Sequence, residues 1–217
     1  MKIAIDLNGV LRDTIGKIIQ VYEKHMMNEV LEVDETSKIF EISGDTEWEI
    51  VKPESENFNY SYSTPITSLN LQDFFKFKDE NEYYSFMFEE FPMQIFGHAG
   101  SSEMTTFNDL NEFYSLNRDI HRLSIVSDEI GKSKPSTLFF LSKFGCLFEE
   151  IRFFNEKTKI LMWDEIDVLL TANPDLLLNK PDNKIVIKFE TEYNKEINSD
   201  FTIKSIKELD DKIKEIK

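Results

Sequence analysis

The chain has 217 residues, 41% apolar and 30% charged, the balance of a folded globular protein rather than a disordered one. A formal charge of −16 argues against sequence-independent binding to nucleic acid and against anionic membrane surfaces, because both need an excess of Lys and Arg. The charge is uneven: residues 1–100 hold 19 acids against 8 bases.

In chain order, "KIAIDLN" reads as a short buried strand, apolar almost throughout and ended by Asn8-Gly9. From Asp13 to about Val30, Ile15, Ile18, Ile19, Tyr22 and Met26 recur at helical spacing, with Asp13 or Thr14 as cap. Residues 31–100 are acidic and dense in aromatics, among them Phe58, Tyr60, Tyr62, Phe75, Phe86 and Phe96. Within them "KIFEISGDTEWEIV" has the form of a hairpin about Gly44-Asp45, while "NEYYSFMFEEF" and then "MTTFNDLNEFYSL" read as helices. "RLSIVS" is a strand ending at Ser127, and "PSTLFFLSKFG" a helix with Pro135 in its first turn and Gly145 at its end. "EIRFF", "IDVLLT" and "KIVIKF" are further strands, "ANPDLLL" follows the second of these, and "IKSIKELDDKIKEI" closes the chain as an amphipathic helix.

Strands alternating with helices imply an α/β protein with a mostly parallel sheet covered on both faces. The organisation expected is a Rossmann-like core from residues 1–30 and 116–217, with 31–115 inserted after the first strand and helix. The inserted aromatics have two readings, the core of a small cap or a face that meets another protein. Ligands of open α/β sheets bind beyond the carboxyl ends of the strands, where Asp6, Ser127 and Thr171 fall.

"IAIDLNGVLRDT" resembles the first motif of the haloacid dehalogenase-like superfamily, in which a strand ends in Asp-x-Asp-Gly-(Val/Thr)-Leu, and it is most similar to the small phosphatases and nucleotidases of that group. The resemblance spans roughly residues 1–30 and 120–190. It implies that Asp6 is a nucleophile taking the phosphoryl group, that Ser127 in "LSIVS" holds the phosphate, and that Lys132 or Lys134 supplies the third-motif cation, although many relatives carry that lysine nearer Thr137. "DVLLTANP" takes the place of the fourth motif.

Two departures bear on the chemistry. Asn8 stands where an acid would donate and retrieve a proton, which an amide cannot do. Thr171 and Ala172 stand where the resemblance implies the magnesium carboxylates, and Mg²⁺ usually takes one or two of these besides phosphate and water. Asp6 alone would be a poor metal ligand; Asp167 lies at the wrong end of its strand, and Asp175 falls in the next helix. Asp6, Asn8, Ser127 and Lys134 are therefore read as vestigial positions. A salt bridge from Arg12 or a lysine to Asp6 would weigh against an enzyme.

His25, His98 and His121 are scattered, and the single cysteine, Cys146, excludes an intramolecular disulfide and reads as a small packing residue. Trp48 and Trp163 read as core or interface anchors. No run approaches the roughly 20 apolar residues of a membrane span, and Asp6 breaks the early apolar run that a signal peptide would need. The expected function is a structural or interaction component with protein partners, basic ones or those of a larger assembly, and without nucleic acid, membrane or cofactor. The alternative is a Mg²⁺-dependent phosphatase or 5′-nucleotidase. The Lys/Asn/Ile/Phe-rich composition and "PSTLFFLSKFGC" are similar to degenerate dehalogenase-fold proteins of tailed bacteriophages, which would give a virion location, in the neck or tail, in place of a cytoplasmic one.

Overall fold

A computed structural model of the chain describes residues 1–27 and 58–216. Six strands, β1 (Lys2–Asp6), β2 (Arg122–Asp128), β3 (Glu150–Phe154), β4 (Val168–Thr171), β5 (Ile185–Phe189) and β6 (Phe201–Ile203), form one sheet in the order β3-β2-β1-β4-β5-β6. Every pairing is parallel. The chain builds outward from β1 through β2 to β3, then returns to lay β4 on the other side of β1. The sheet thus has its switch point between β1 and β4, where open α/β sheets form their ligand crevice.

The apolar character of β1 follows from its central place, since a strand covered on both faces has no polar side to show. Ile3 and Ile5 point to one face with Leu123, Ile125, Leu170 and Ile187. Ala4 points to the other with Val126, Leu169 and Val186. The first face is covered by α3 (Thr106–Asn117), α4 (Ser133–Lys143) and α7 (Leu209–Glu215), through Phe107, Leu110, Phe140, Leu141 and Ile213. The second is covered by α5 (Lys159–Asp164) and α6 (Pro174–Leu178), through Met162, Trp163, Leu176 and Leu177.

A third apolar cluster lies off the sheet. Helix α1 (Thr14–Tyr22), N-capped by the Asp13 carboxylate on the Gly16 N–H at 3.0 Å, turns Ile18, Val21 and Tyr22 toward Leu71, Phe75, Phe86, Ile95 and Phe96. The Tyr22 ring is the hub, with Tyr60, Tyr62, Phe75, Phe77 and Phe86 meeting it edge-on, an arrangement favoured by the ring quadrupole. Its hydroxyl donates to the carbonyls of Ser61 and Lys76. These rings therefore form a core of their own. Between α2 (Glu80–Ser85) and the sheet, wide π-type turns at Phe86–Glu90 and Met93–Gly97 bring Ile95 and Phe96 inward.

Helix α3 starts before residue 116 and spans it, and its Phe107, Leu110 and Phe113 enter the sheet core, because they share one helical stripe facing α4. Helix α1 precedes residue 31, yet its stripe faces the off-sheet cluster. Strand β6 and helix α5 were not anticipated: the one has three residues and the other six, too few to show a period. The hairpin expected about Gly44-Asp45, and Trp48, lie outside the described residues; Trp163 is buried against the second face.

Candidate functional site

Asp6 closes β1, and Thr171 closes β4 beside it. The Thr171 hydroxyl donates to Asp6 Oδ2 at 2.6 Å, and both residues are buried. Burial pushes the Asp6 carboxyl up to about 7; nearby Asp128 adds to the rise, while Thr171 and the backbone of Leu7 and Asn8 oppose it. A carboxyl so placed divides between acid and carboxylate near neutral pH.

Beyond Asp6 the chain doubles back. Gly9 N–H donates to the Arg12 carbonyl, and the Leu11 and Arg12 N–H groups donate to the Leu7 carbonyl, each at 3.0 Å. Gly9 sits at φ +76°, where a side chain is strained, and a Cβ there would lie 2.1 Å from the Tyr193 hydroxyl. The turn aims the Arg12 side chain inward, where it has no exposed surface.

All five N–H groups of the Arg12 guanidinium are used. Nε donates to Thr14 Oγ1 at 3.3 Å, and Nη1 to Thr137 Oγ1 at 2.6 Å and to the Phe96 carbonyl at 3.1 Å. Nη2 donates to Asn8 Oδ1 at 2.6 Å and to Glu129 Oε1, forming a fully buried ion pair. Its rings of contact are Phe96 and Phe140, at 5.0 and 5.4 Å. Burial lowers the guanidinium's affinity for its proton, and Glu129 above all restores it.

Asn8 and Ser127 belong to the same network. The Asn8 amide donates to Ser127 Oγ at 3.2 Å and accepts from Thr14 Oγ1 at 2.8 Å; Ser127 in turn donates to Glu129 Oε1 at 3.0 Å. Thr137 donates to both Glu129 oxygens, at 2.6 and 2.7 Å. Three of the four residues singled out from the sequence, Asp6, Asn8 and Ser127, thus stand together at the strand ends.

Lys134 does not join them. Its ammonium lies 5.6 Å from the Phe153 ring on the exposed side of α4, and Lys132 reaches only the Glu89 carbonyl, at 3.4 Å. On α4 the buried stripe runs through Ser133, Ser136, Thr137, Phe140 and Leu141, so position 137 faces the site and position 134 faces away. The buried cation comes instead from Arg12. Sequence reasoning missed Glu129 as its partner; the signal available was an acid two residues beyond the strand-end serine.

The fourth-motif region has the donor set its letters suggest. Thr171 offers a hydroxyl already given to Asp6, and Ala172 offers a methyl group. Asp175 pairs with Lys159, which holds its carboxyl below the ordinary range. Asp167 accepts from the Lys2 N–H at the opposite end of the sheet. Among the described residues no three His, Cys, Asp or Glu side chains converge as a metal site. The donor set fits Mg²⁺ poorly: uncharged Thr171 and Ala172 stand where the resemblance implies the metal carboxylates, which leaves Asp6, its carboxyl pushed up to about 7, with Asp128 nearby.

The loop after β5 covers the crevice. Asn194, fully buried, donates to the Ala172 and Phe189 carbonyls at 2.9 Å and accepts from the Thr191 N–H at 2.8 Å. Buried Lys188 donates to the Ile197 carbonyl at 2.8 Å. So anchored, the loop sets the Tyr193 phenol over Gly9, and burial pushes that hydroxyl up to about 12. Cys146 is half-buried beside the sheet core, and burial likewise pushes its thiol up to about 12, far from a reactive thiolate.

No protein-family model and no curated protein matches the chain. Solved structures do. A protein described as a haloacid dehalogenase-like hydrolase, from Burkholderia xenovorans LB400, superposes with a TM-score of 0.53 over 98% of this chain and 96% of its own, at 11% sequence identity. The likeness is one of fold. At that identity it carries neither site residues nor activity across.

Proposed function

We propose that this protein keeps a haloacid dehalogenase-like fold without its phosphoryl-transfer chemistry, and works as a structural or protein-interaction component. The observation that carries the reading is the closed ring of bonds among Asn8, Arg12, Ser127, Glu129 and Thr137. The groups that would meet a transferring phosphate are spent on one another, and phosphoryl transfer draws its stabilisation from donors left free for the phosphate. Proteins are the partners proposed, because the chain's −16 charge repels nucleic acid and anionic lipid. A place in a larger assembly, such as a phage neck or tail, belongs to the same proposal.

One observation favours the alternative, a Mg²⁺-dependent phosphatase or 5′-nucleotidase. Asp6 remains at the strand end, with Thr171 as its one side-chain hydrogen-bond partner among the described residues. A panel of nucleoside monophosphates with Mg²⁺, assayed for released phosphate on wild type and Asp6→Asn, separates the two. We expect no turnover above background in either; turnover in wild type that vanishes in Asp6→Asn would replace the proposal with the alternative.

A further inference from the structure

The Glu129 carboxylate is held as a bound ligand would be. It sits at the carboxyl end of the sheet and receives the Arg12 guanidinium, the Ser127 hydroxyl at 3.0 Å and the Thr137 hydroxyl at 2.6 and 2.7 Å. Arg12, Ser127 and Thr137 have no exposed surface, and Glu129 has 2%. Each donor is itself fixed from behind: Ser127 by the Asn8 amide, Thr137 by Arg12 Nη1, and Arg12 by Asn8, Thr14 and the Phe96 carbonyl. These donors come from three separate elements, the turn after β1, the end of β2 and the middle of α4. Guanidinium and hydroxyl donors fixed in this way recognise an oxyanion. Glu129 reaches them from its own short connection, Glu129–Lys132, where Gly131 takes φ +54° with open space around it.

We propose that Arg12, Ser127 and Thr137 form an oxyanion cradle whose occupant is supplied in cis by Glu129, and that with this side chain removed the cradle takes a small monovalent carboxylate from solution. The charge balance selects the ligand class. One guanidinium matches one negative charge, and Asp6 and Asp128, which close the paired strands β1 and β2 at the same end of the sheet, oppose a second. A carboxylate therefore fits better than a phosphate dianion. With Glu129 in place these donors are occupied, and the cradle is closed to both. The inference deepens the non-catalytic reading of this site, but its test is separate: Asp6-dependent phosphatase turnover would end that reading and leave the cradle untouched.

The test is rescue of Glu129→Ala by sodium acetate, with inorganic phosphate at pH 8 as the dianion arm and sodium chloride at matched ionic strength as the control. Thermal unfolding of the full chain is the readout. We expect acetate to raise the midpoint of Glu129→Ala by at least 3 °C at 50 mM, phosphate to raise it by less than half as much, and wild type to respond to neither beyond chloride. The response should disappear in Arg12→Met/Glu129→Ala. Should Glu129→Ala refold poorly, the recovered folded fraction with and without acetate becomes the readout, and a several-fold gain is expected. Three results would each overturn the proposal: no acetate effect on midpoint or recovery, an equal effect on wild type, or an effect that survives loss of Arg12. Phosphate surpassing acetate would overturn the assigned ligand class.

Discussion

Asp6 is a carboxyl taken out of water and given a single hydroxyl partner, and this sets how it acts on stability. Its folded-state value, about 7, lies above the ordinary 3.8, so the unfolded chain gives up this proton at a lower pH than the folded one. Below the ordinary value both states hold the proton and nothing is lost. As pH climbs toward 7 the folded state falls behind, by a few kcal/mol at most at about 1.4 kcal/mol per pH unit. Asp6→Asn keeps an acceptor for Thr171 and removes the titration. It is expected to stabilise the protein by about 1–3 kcal/mol at pH 8 and by clearly less at pH 4.5, measured by urea denaturation. A gain that does not change with pH would show that Asp6 is solvated and ionised. Asn8 and Arg12 illustrate the neighbouring case, in which a buried polar set is tolerated because each member is paired. That Asn8 lacks acid–base capacity is visible in its chemistry alone. That its amide is bound on both sides needed the positions of Ser127 and Arg12.

At the scale of elements, the turn after β1 and the loop after β5 depend on one another. Gly9 is fixed twice over, by a left-handed backbone and by the Tyr193 hydroxyl occupying the place of a Cβ. Gly9→Ala is therefore expected to cost about 2 kcal/mol or more, of which the backbone strain is about 1 kcal/mol. In a Tyr193→Ala background the same change should cost only the backbone share, and a double-mutant cycle in denaturant reads the difference. Equal costs in both backgrounds would mean that the loop yields freely. Asn194 and Lys188 argue that it does not, since they tie it to Ala172 and Ile197. Helix α4 shows why the cation was misplaced in sequence. The lysines at 132 and 134 and the threonine at 137 lie within about a turn and a half of helix, and only the tertiary context says which face is buried.

Across the whole molecule, two bodies of packing meet at Arg12. The sheet with its two layers of helix is one, and the aromatic cluster about Tyr22 is the other. The Arg12 guanidinium touches the second through the Phe96 carbonyl and ring, and the first through Glu129 and Thr137. The chain carries 41 acids and 25 bases. Such an excess repels itself, and salt screens it over about 10 Å at 0.1 M. The thermal midpoint is therefore expected to rise by several degrees between 20 and 300 mM NaCl. A midpoint that falls over this range would show that exposed ion pairs such as Arg122–Glu150 and Lys214–Asp210 outweigh the net repulsion.

The sequence by itself determined the architecture. Short apolar runs ending in Asp6, Ser127 and Thr171, alternating with helical segments, read as central parallel strands, because a strand covered on both faces has no polar side. It also determined what the strand ends lack, because a missing carboxylate at 171 or 172 is a matter of composition. What only the tertiary structure decided is where the charge goes. Arg12 lies 117 residues from Glu129 and 125 from Thr137, and their pairing is forced by a cost that exists only once they are buried together: a charge removed from water must find its counter-charge.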